Sequence, residues 1–296
     1  MKRVKKAVIP AGGYGTRFLP ASKSIPKEMF PLGNKPIILH VVEEAVAAGI
    51  EQIIFVVSHH KQTVESFFGS NKPLEDYYIA KEKLDEVGEL HHIEQMADYA
   101  FVYAHPPYGN GGALLPARPF LDDEPFVVAW ADELVLTPPS APSRIQACVD
   151  AFHEYQKPVV AMMEITDAEK RHRYGMAKYK DIQGSHLVKE IETIVEKPAM
   201  GEEPSSFAAH SAYVLTSDIF KAFDETFLGK DGELWLSDLI NSMKEHTGLL
   251  GVMIEGANYL DCGNPDDYLF SQVTLAMRDN PECSKRLFDL INRKNT

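Results

Sequence analysis

The sequence predicts an α/β fold: a mixed, mainly parallel sheet with helices on both faces. Short runs that are apolar at every position recur through the first half, helix-forming segments separate them, and the first run ends in a glycine-rich loop. A strand with one wet face alternates apolar and polar residues, so strands apolar throughout belong to a sheet covered on both sides. The expected architecture is Rossmann-like.

Ala7-Val8-Ile9 reads as the first buried strand. Residues 36–48 open with Pro36 and stop at Gly49, the punctuation of a helix. Residues 53–58 form a second β-branched strand, followed by a helix over 62–68. Residues 70–95 are charged and helix-prone without a deep apolar stripe, which suggests a surface hairpin or an oligomer contact. Strands over 101–104 and 126–130 flank a glycine-rich turn and a short helix, and 158–163 gives a fifth strand. Past about residue 165 the pattern changes. Strands over 187–196 and 210–215 are more mixed, and helices follow over 217–227 and 235–246. This predicts one domain over 1–296, with a first half up to about 165 and a smaller lobe with C-terminal helices from 166 on, packed on the same sheet.

Composition narrows the function. The net charge of −13 argues against a nucleic-acid or anionic-membrane surface, which needs a basic face. Cys148, Cys262 and Cys283 are scattered, as in reduced thiols of a cytoplasmic protein. The basic start mimics a signal peptide, but Pro10, Gly12 and Gly13 interrupt its apolar run. Within this acidic chain, residues 1–27 hold seven Lys and Arg and no acid. A local cation cluster among glycines points to a specific anion site, because glycine lets backbone N–H groups approach a phosphate.

That loop fits neither common phosphate fingerprint. Gly13-Tyr14-Gly15 supplies two glycines of a dinucleotide loop but Phe18 stands at the third, and no Gly-Lys-Ser/Thr closes a Walker turn. What stands is Gly12-Gly13-Tyr14-Gly15-Thr16-Arg17-Phe18-Leu19-Pro20, then Lys23 and Pro26-Lys27-Glu28-Met29. The pattern resembles the sugar-nucleotide pyrophosphorylases, nucleotidyltransferases acting on sugar 1-phosphates. Ala21 to Met29 looks most like the bacterial UTP–glucose-1-phosphate uridylyltransferases, and Asn34-Lys35-Pro36, Val195-Glu196-Lys197-Pro198, Tyr213-Val214-Leu215 and Asp261-Cys262-Gly263-Asn264 fall in that family's order.

The resemblance implies a glycosyltransferase-A-like nucleotidyltransferase fold, Mg²⁺, a nucleoside triphosphate and a sugar 1-phosphate as substrates, and a homo-oligomer, dimer or tetramer. It puts Ala11, Gly12 and Gly13 along the nucleoside, with Gly15, Thr16 and Glu28 among the substrate contacts. Arg17 would grip the leaving phosphates and Lys27 the α-phosphate, as befits a planar fork and a compact charge. Asp132 follows the strand 126–130 at its carboxyl end, where open α/β sheets place ligands; it is a metal ligand or a cap for the next helix. The family pairs it with Asp261, for which a turn-forming role before glycine is the rival. Glu133 should point away if the strand continues. On the sugar side the family uses Glu196 for hydroxyls, Lys197 for the phosphate and the Tyr174-Gly175 loop for close approach; a solvated Glu-Lys pair is the alternative. Trp235, Leu236 and Asp238 begin a helix bordering that pocket, although core packing explains Trp235 equally well.

The chain also departs from the family. The stretch Ala104-His105-Pro106-Pro107-Tyr108-Gly109-Asn110-Gly111-Gly112 lacks the Gln that reads the pyrimidine. Main-chain contact at Gly111 and Gly112 is kept as an expectation, with His105 or Asn110 as candidates for the base. Gly-Arg before Tyr-Val-Leu is replaced by Ser211-Ala212, and His210 is new. These changes touch base and sugar recognition rather than the phosphate groups. They leave open dTTP or another sugar, or a sensor without turnover.

Overall fold

A computed structural model describes residues 2–225 and 232–293. Its centre is a nine-stranded sheet. The first four strands, β1 (Lys6–Ala11), β4 (Gln52–Val57), β5 (Asp98–Tyr103) and β6 (Phe126–Ala129), lie side by side in parallel, β1 between β4 and β6 and β5 on the edge. Two short strands, β2 (Pro31–Leu32) and β3 (Lys35–Pro36), form a separate hairpin ahead of the first helix.

From β6 the sheet continues through β11 (Phe207–Leu215), β8 (Val159–Glu164), β12 (Leu250–Met253), β10 (Ser185–Glu196) and β9 (Gly175–Ile182). Only β11 and β10 are reversed, so seven of the nine strands share one direction. The sheet is mixed and mainly parallel, as the sequence predicts. A two-stranded ribbon stands apart from it: β7 (Glu133–Leu136) pairs antiparallel with β13 (Asn258–Asp261), and Glu133 faces Asp261 in the register.

Both faces are covered, which explains the uniformly apolar strands. Ala7, Ile9, Ile53, Phe55, Val57, Val127 and Ala129 pack towards α1 (Ile37–Ala47), α2 (Gln62–Phe68) and α5 (Arg144–Tyr155). The alternating residues Val8, Ile54, Val56, Phe126 and Val128 pack towards a short helical segment (112–120), α6 (Ile219–Glu225) and α7 (Leu236–Thr247). Each large side chain fully buried this way contributes roughly 1.5–3 kcal/mol. The helix expected over 217–227 is α6; residues 226–227 lie outside the described residues. Residues 70–95 form α3 (Lys72–Ala80), with no buried side chain, and α4 (Leu84–Gln95), where only Val87 is buried. The chain closes with α8 (Pro265–Asp279) and α9 (Pro281–Arg293).

β11 is irregular. Its register against β8 shifts between Ala209 and Tyr213, and in that stretch Ser211 has φ 76° although it is not glycine. Ser211 is buried, and its hydroxyl has no hydrogen-bond partner among the described residues. A left-handed non-glycine residue and an unpaired buried hydroxyl are both costly. Ser211→Gly should therefore raise stability by about 1 kcal/mol or more. Chemical denaturation would read this as a higher midpoint, and a lower midpoint would contradict the strain assigned here.

Candidate active site

The glycine-rich loop leaves the carboxyl end of β1 and passes through three short helical turns, at 16–18, 21–23 and 27–29. Gly15, at φ 65°, makes the turn that brings Thr16 and Arg17 round, and a Cβ there would meet Ser22 and Lys27. An aromatic cluster pins the loop: Phe18 is buried edge-on to Phe30 at 5.1 Å, and both rings meet Tyr268 of α8. From the other side, Ser58 donates to the Gly12 carbonyl at 2.5 Å. Lys61 reaches under the loop to Glu28 at 2.6 Å, and both side chains are 1% exposed. Burial pushes the Lys61 ammonium down and the Glu28 carboxyl up, each against the attraction of the other.

Glu28 corrects an expectation. It is sealed beneath the loop and paired with Lys61, so it supports the loop instead of meeting a substrate. Gly111 and Gly112 are corrected as well. Both are buried, the Gly111 N–H donates to the Leu234 carbonyl at 2.9 Å, and a Cβ on Gly112 would lie 2.0 Å from the Pro107 carbonyl oxygen. They are glycine because two segments touch there, and the Gly111 amide is already taken. Asn110 accepts from Leu236 N at 2.7 Å and lines the inner cavity, whereas His105 is exposed and its Nδ1 lies 2.9 Å from the Pro106 carbonyl.

The β7–β13 ribbon builds the acidic wall. β6 stops at Ala129, and Asp132 falls in the gap before β7, where its carbonyl accepts from Cys262 N at 3.0 Å. Asp261 accepts from Gly263 N at 2.7 Å. A Cβ built on Gly263 would lie 2.9 Å from Asp261 Oδ1 and 3.4 Å from Asp132 Oδ2, so two residues far apart in sequence share one small space. The strand does not continue through Glu133 as a regular alternation: its side chain turns into the same cavities as Asp132. Burial raises Glu133 well above the usual carboxylate range, and burial with Asp132 nearby raises Asp261. Lys27 forms an ion pair with Asp132, whose attraction raises the ammonium despite its burial. Beneath the wall, fully buried Arg144 donates to the Glu133 carbonyl at 2.7 Å and pairs with Glu44 at 3.2 Å.

The donor set at this wall fits a hard divalent cation. Asp132 and Asp261 offer oxygen ligands alone, and a buried Glu133 oxygen has no hydrogen-bond partner among the described residues. No group of three or more His, Cys, Asp or Glu among the described residues is arranged to hold a metal. A two-carboxylate site is what Mg²⁺ accepts when phosphates and waters fill its other positions.

Two connected cavities open on the wall. The outer one, of about 720 Å³, is lined by Arg17, Lys27, Asp132, Asp261 and Lys197, together with Arg173. The inner one, of about 260 Å³, shares Asp132, Glu133 and Lys197 and adds Gly175, Glu196 and Trp235. Ala11 is buried at the end of β1, Gly12 is half-buried, and Gly13 and Thr16 are exposed at the loop's surface. Glu196 pairs with Gly175 where β10 ends and β9 begins, and a Cβ on Gly175 would stand 3.1 Å from Glu196 Oε2. Lys197 breaks the strand with φ 44°, which turns its side chain to the same pocket as Glu196. Its ammonium sits 3.8 Å from the Trp235 ring centroid, a cation–π contact that gives Trp235 a place in the pocket. Burial pushes Glu196 up, against the Ser237 hydroxyl beside it.

A sheet-end cleft with a glycine-rich loop, bases on one side and paired carboxylates on the other defines a phosphate-transferring class. The nucleotidyl transferase family model matches residues 6–277, and the chain belongs to that family. It is 37% identical to UTP–glucose-1-phosphate uridylyltransferase 2 of Staphylococcus saprophyticus, over 94% of each chain. It is 36% identical to the UTP–glucose-1-phosphate uridylyltransferase of Staphylococcus epidermidis, over 97% of each. Among solved structures it superimposes on a UDP-glucose pyrophosphorylase from Acinetobacter baumannii with a TM-score of 0.86, at 30% identity over 98% of this chain and 99% of that one. A UDP-glucose pyrophosphorylase complexed with UDP-glucose matches with a TM-score of 0.82 at 31% identity, over 93% and 99%. The fold and the enzyme class expected from sequence stand.

The buried Lys61–Glu28 pair gives a direct test. Removing one partner leaves an uncompensated buried charge, so Lys61→Met should cost about 3 kcal/mol of stability. Adding Glu28→Leu should recover most of that loss. Urea midpoints of the single and double variants would show it, and a double variant no more stable than the single would refute the pairing.

Proposed function

We propose that this chain is a UTP–glucose-1-phosphate uridylyltransferase, converting UTP and glucose 1-phosphate to UDP-glucose and pyrophosphate. One observation carries this reading: Arg17, Lys27 and Lys197 converge with Asp132 and Asp261 on a single cleft that runs on into the Glu196 pocket. The uridylyltransferase names of the relatives and the UDP-glucose complex of a structural neighbour support the choice of substrates. A single domain is supported by the sheet that runs through both halves.

The reaction is an in-line displacement. A phosphate oxygen of the sugar phosphate attacks the α-phosphorus of UTP; the bond to the bridging oxygen breaks and pyrophosphate leaves with the electron pair. The attacking oxygen is anionic near neutral pH, so no general base is required. The obstacle is repulsion between two anions, and catalysis consists of positioning and charge compensation. Arg17 serves the leaving phosphates, Lys27 the α-phosphate and Lys197 the sugar phosphate, while Ala11, Gly12, Gly13, Gly15 and Thr16 follow the nucleotide. Glu196 and Gly175 hold the sugar. Mg²⁺ bound by Asp132 and Asp261 would supply further positive charge at the transferring phosphate.

The stretch 104–113 holds no Gln to read a pyrimidine edge, so dTTP belongs in the same assay. The free cysteines, two of them buried, and the lack of any membrane-crossing helix among the described residues support a cytoplasmic enzyme. Exposed Leu269, Phe270, Phe288 and Ile291 on α8 and α9 offer a surface that a homo-oligomer would cover.

The test is pyrophosphate release from four nucleoside triphosphates against several sugar 1-phosphates, with Mg²⁺. UTP with glucose 1-phosphate should be the best pair, and EDTA should abolish turnover. Lys197→Ala should lower kcat/KM for the sugar phosphate by about a hundredfold, the scale of one preorganised electrostatic group. Undiminished efficiency in that variant would remove Lys197 from the assignment.

A further inference from the structure

The β11 irregularity has a visible product. The shift between Ala209 and Tyr213, with Ser211 at φ 76°, turns His210 out of the strand's alternation and into both cavities. Bulges beside active sites commonly re-aim one side chain in this way, and backbone strain held at such a place calls for a functional reading. Nothing in the mechanism above uses His210.

Its surroundings are specific. His210 Nε2 lies 2.9 Å from the Tyr259 hydroxyl and 3.4 Å from Glu133 Oε1. The ring is flanked by Tyr174 and Tyr259, with centroids at 5.1 and 5.2 Å. Those contacts fix the ring through one nitrogen. Nδ1 makes no hydrogen bond to a described residue and is not among the sealed unpartnered atoms, so it faces the cavity. The inner cavity that His210 lines also holds Glu196 and Gly175.

We propose that His210 is a sugar-specificity residue, whose free ring nitrogen hydrogen-bonds a hydroxyl of the hexose held against Glu196 and Gly175. The inference rests on the uridylyltransferase reading and deepens it. A hydroxyl is the matching partner because the imidazole is uncharged: burial, with Arg144 nearby, lowers His210 to about 3. A neutral ring offers one donor or one acceptor but no counter-charge to a phosphate. The phosphate already has Lys197, whose ammonium lines the same pocket over the Trp235 ring.

The experiment compares the unaltered protein with His210→Val, His210→Asn and Tyr259→Phe. Each is assayed with UTP and the 1-phosphates of glucose, galactose, mannose and N-acetylglucosamine. His210→Val should raise KM for the preferred sugar phosphate about tenfold, the scale of one neutral hydrogen bond, and leave KM for UTP within about twofold. It should also narrow the ratio of kcat/KM between glucose and at least one epimer. His210→Asn, whose amide can stand near the Nδ1 position, should restore much of the discrimination. Tyr259→Phe, which frees the ring, should give a milder loss and supplies the reading if the Val variant does not fold. Equal changes in KM for both substrates, or an unchanged sugar ratio in folded variants, would overturn the inference and leave the enzyme assignment intact. No pyrophosphate from the unaltered protein with any pair would instead overturn the functional reading, and this inference with it.

Discussion

The ion pair between Lys27 and Asp132 joins the two halves of the site. Both side chains are largely removed from water, at 22% and 18% exposure, and a carboxylate in that setting is tolerable only with a partner. Asp132 is one of three acids crowded together, next to Glu133 and Asp261 of the ribbon. The loop therefore has to bring positive charge to the wall, which is why an acidic protein keeps its first 27 residues free of acids. The same constraint explains what lies behind the loop. Lys61 and Glu28 neutralise one another underneath it, and Ser58, Phe18 and Phe30 fix its backbone and its edge.

The sheet sets the directions from which these groups arrive. Parallel β1 and β6 end on the same edge, so the loop after one and Asp132 after the other meet there. Reversal of β11 and β10 then returns the chain, and the end of β10 delivers Glu196 and Lys197 to the same cleft. Successive strand residues normally face opposite sides. The positive φ at Lys197 and the gap between β6 and β7 are two places where that rule is broken, and both put a second charged side chain beside the first.

Much of this was legible in the sequence, and what was not has identifiable causes. Apolar-throughout strands, a proline-to-glycine helix and a basic glycine loop are local signals, and they placed β1, α1, β4 and β6 within a few residues. The helix α5 was open to the same reading, since Ser143 caps it and Ile145, Cys148, Val149 and Phe152 repeat at helical spacing, but its polar residues diluted the pattern. Lys61 reads as one more solvated base after His59 and His60; only the fold reveals Glu28 across from it. Glu133 was expected to turn away because a continuing strand demands it, and the interruption comes from pairing with β13, more than a hundred residues later. Gly111 and Gly112 announced close approach correctly, and the neighbour the fold brings there is the chain itself at Pro107 and Leu234.

The ribbon also orders events in time. During synthesis the glycine loop, Lys27 and Asp132 emerge early, while Asp261 waits for nearly the whole chain. Until β13 has been made and laid against β7, the growing polypeptide holds a phosphate loop facing half an acidic wall. The second carboxylate of the wall thus joins the first in one late step, when β13 docks on β7.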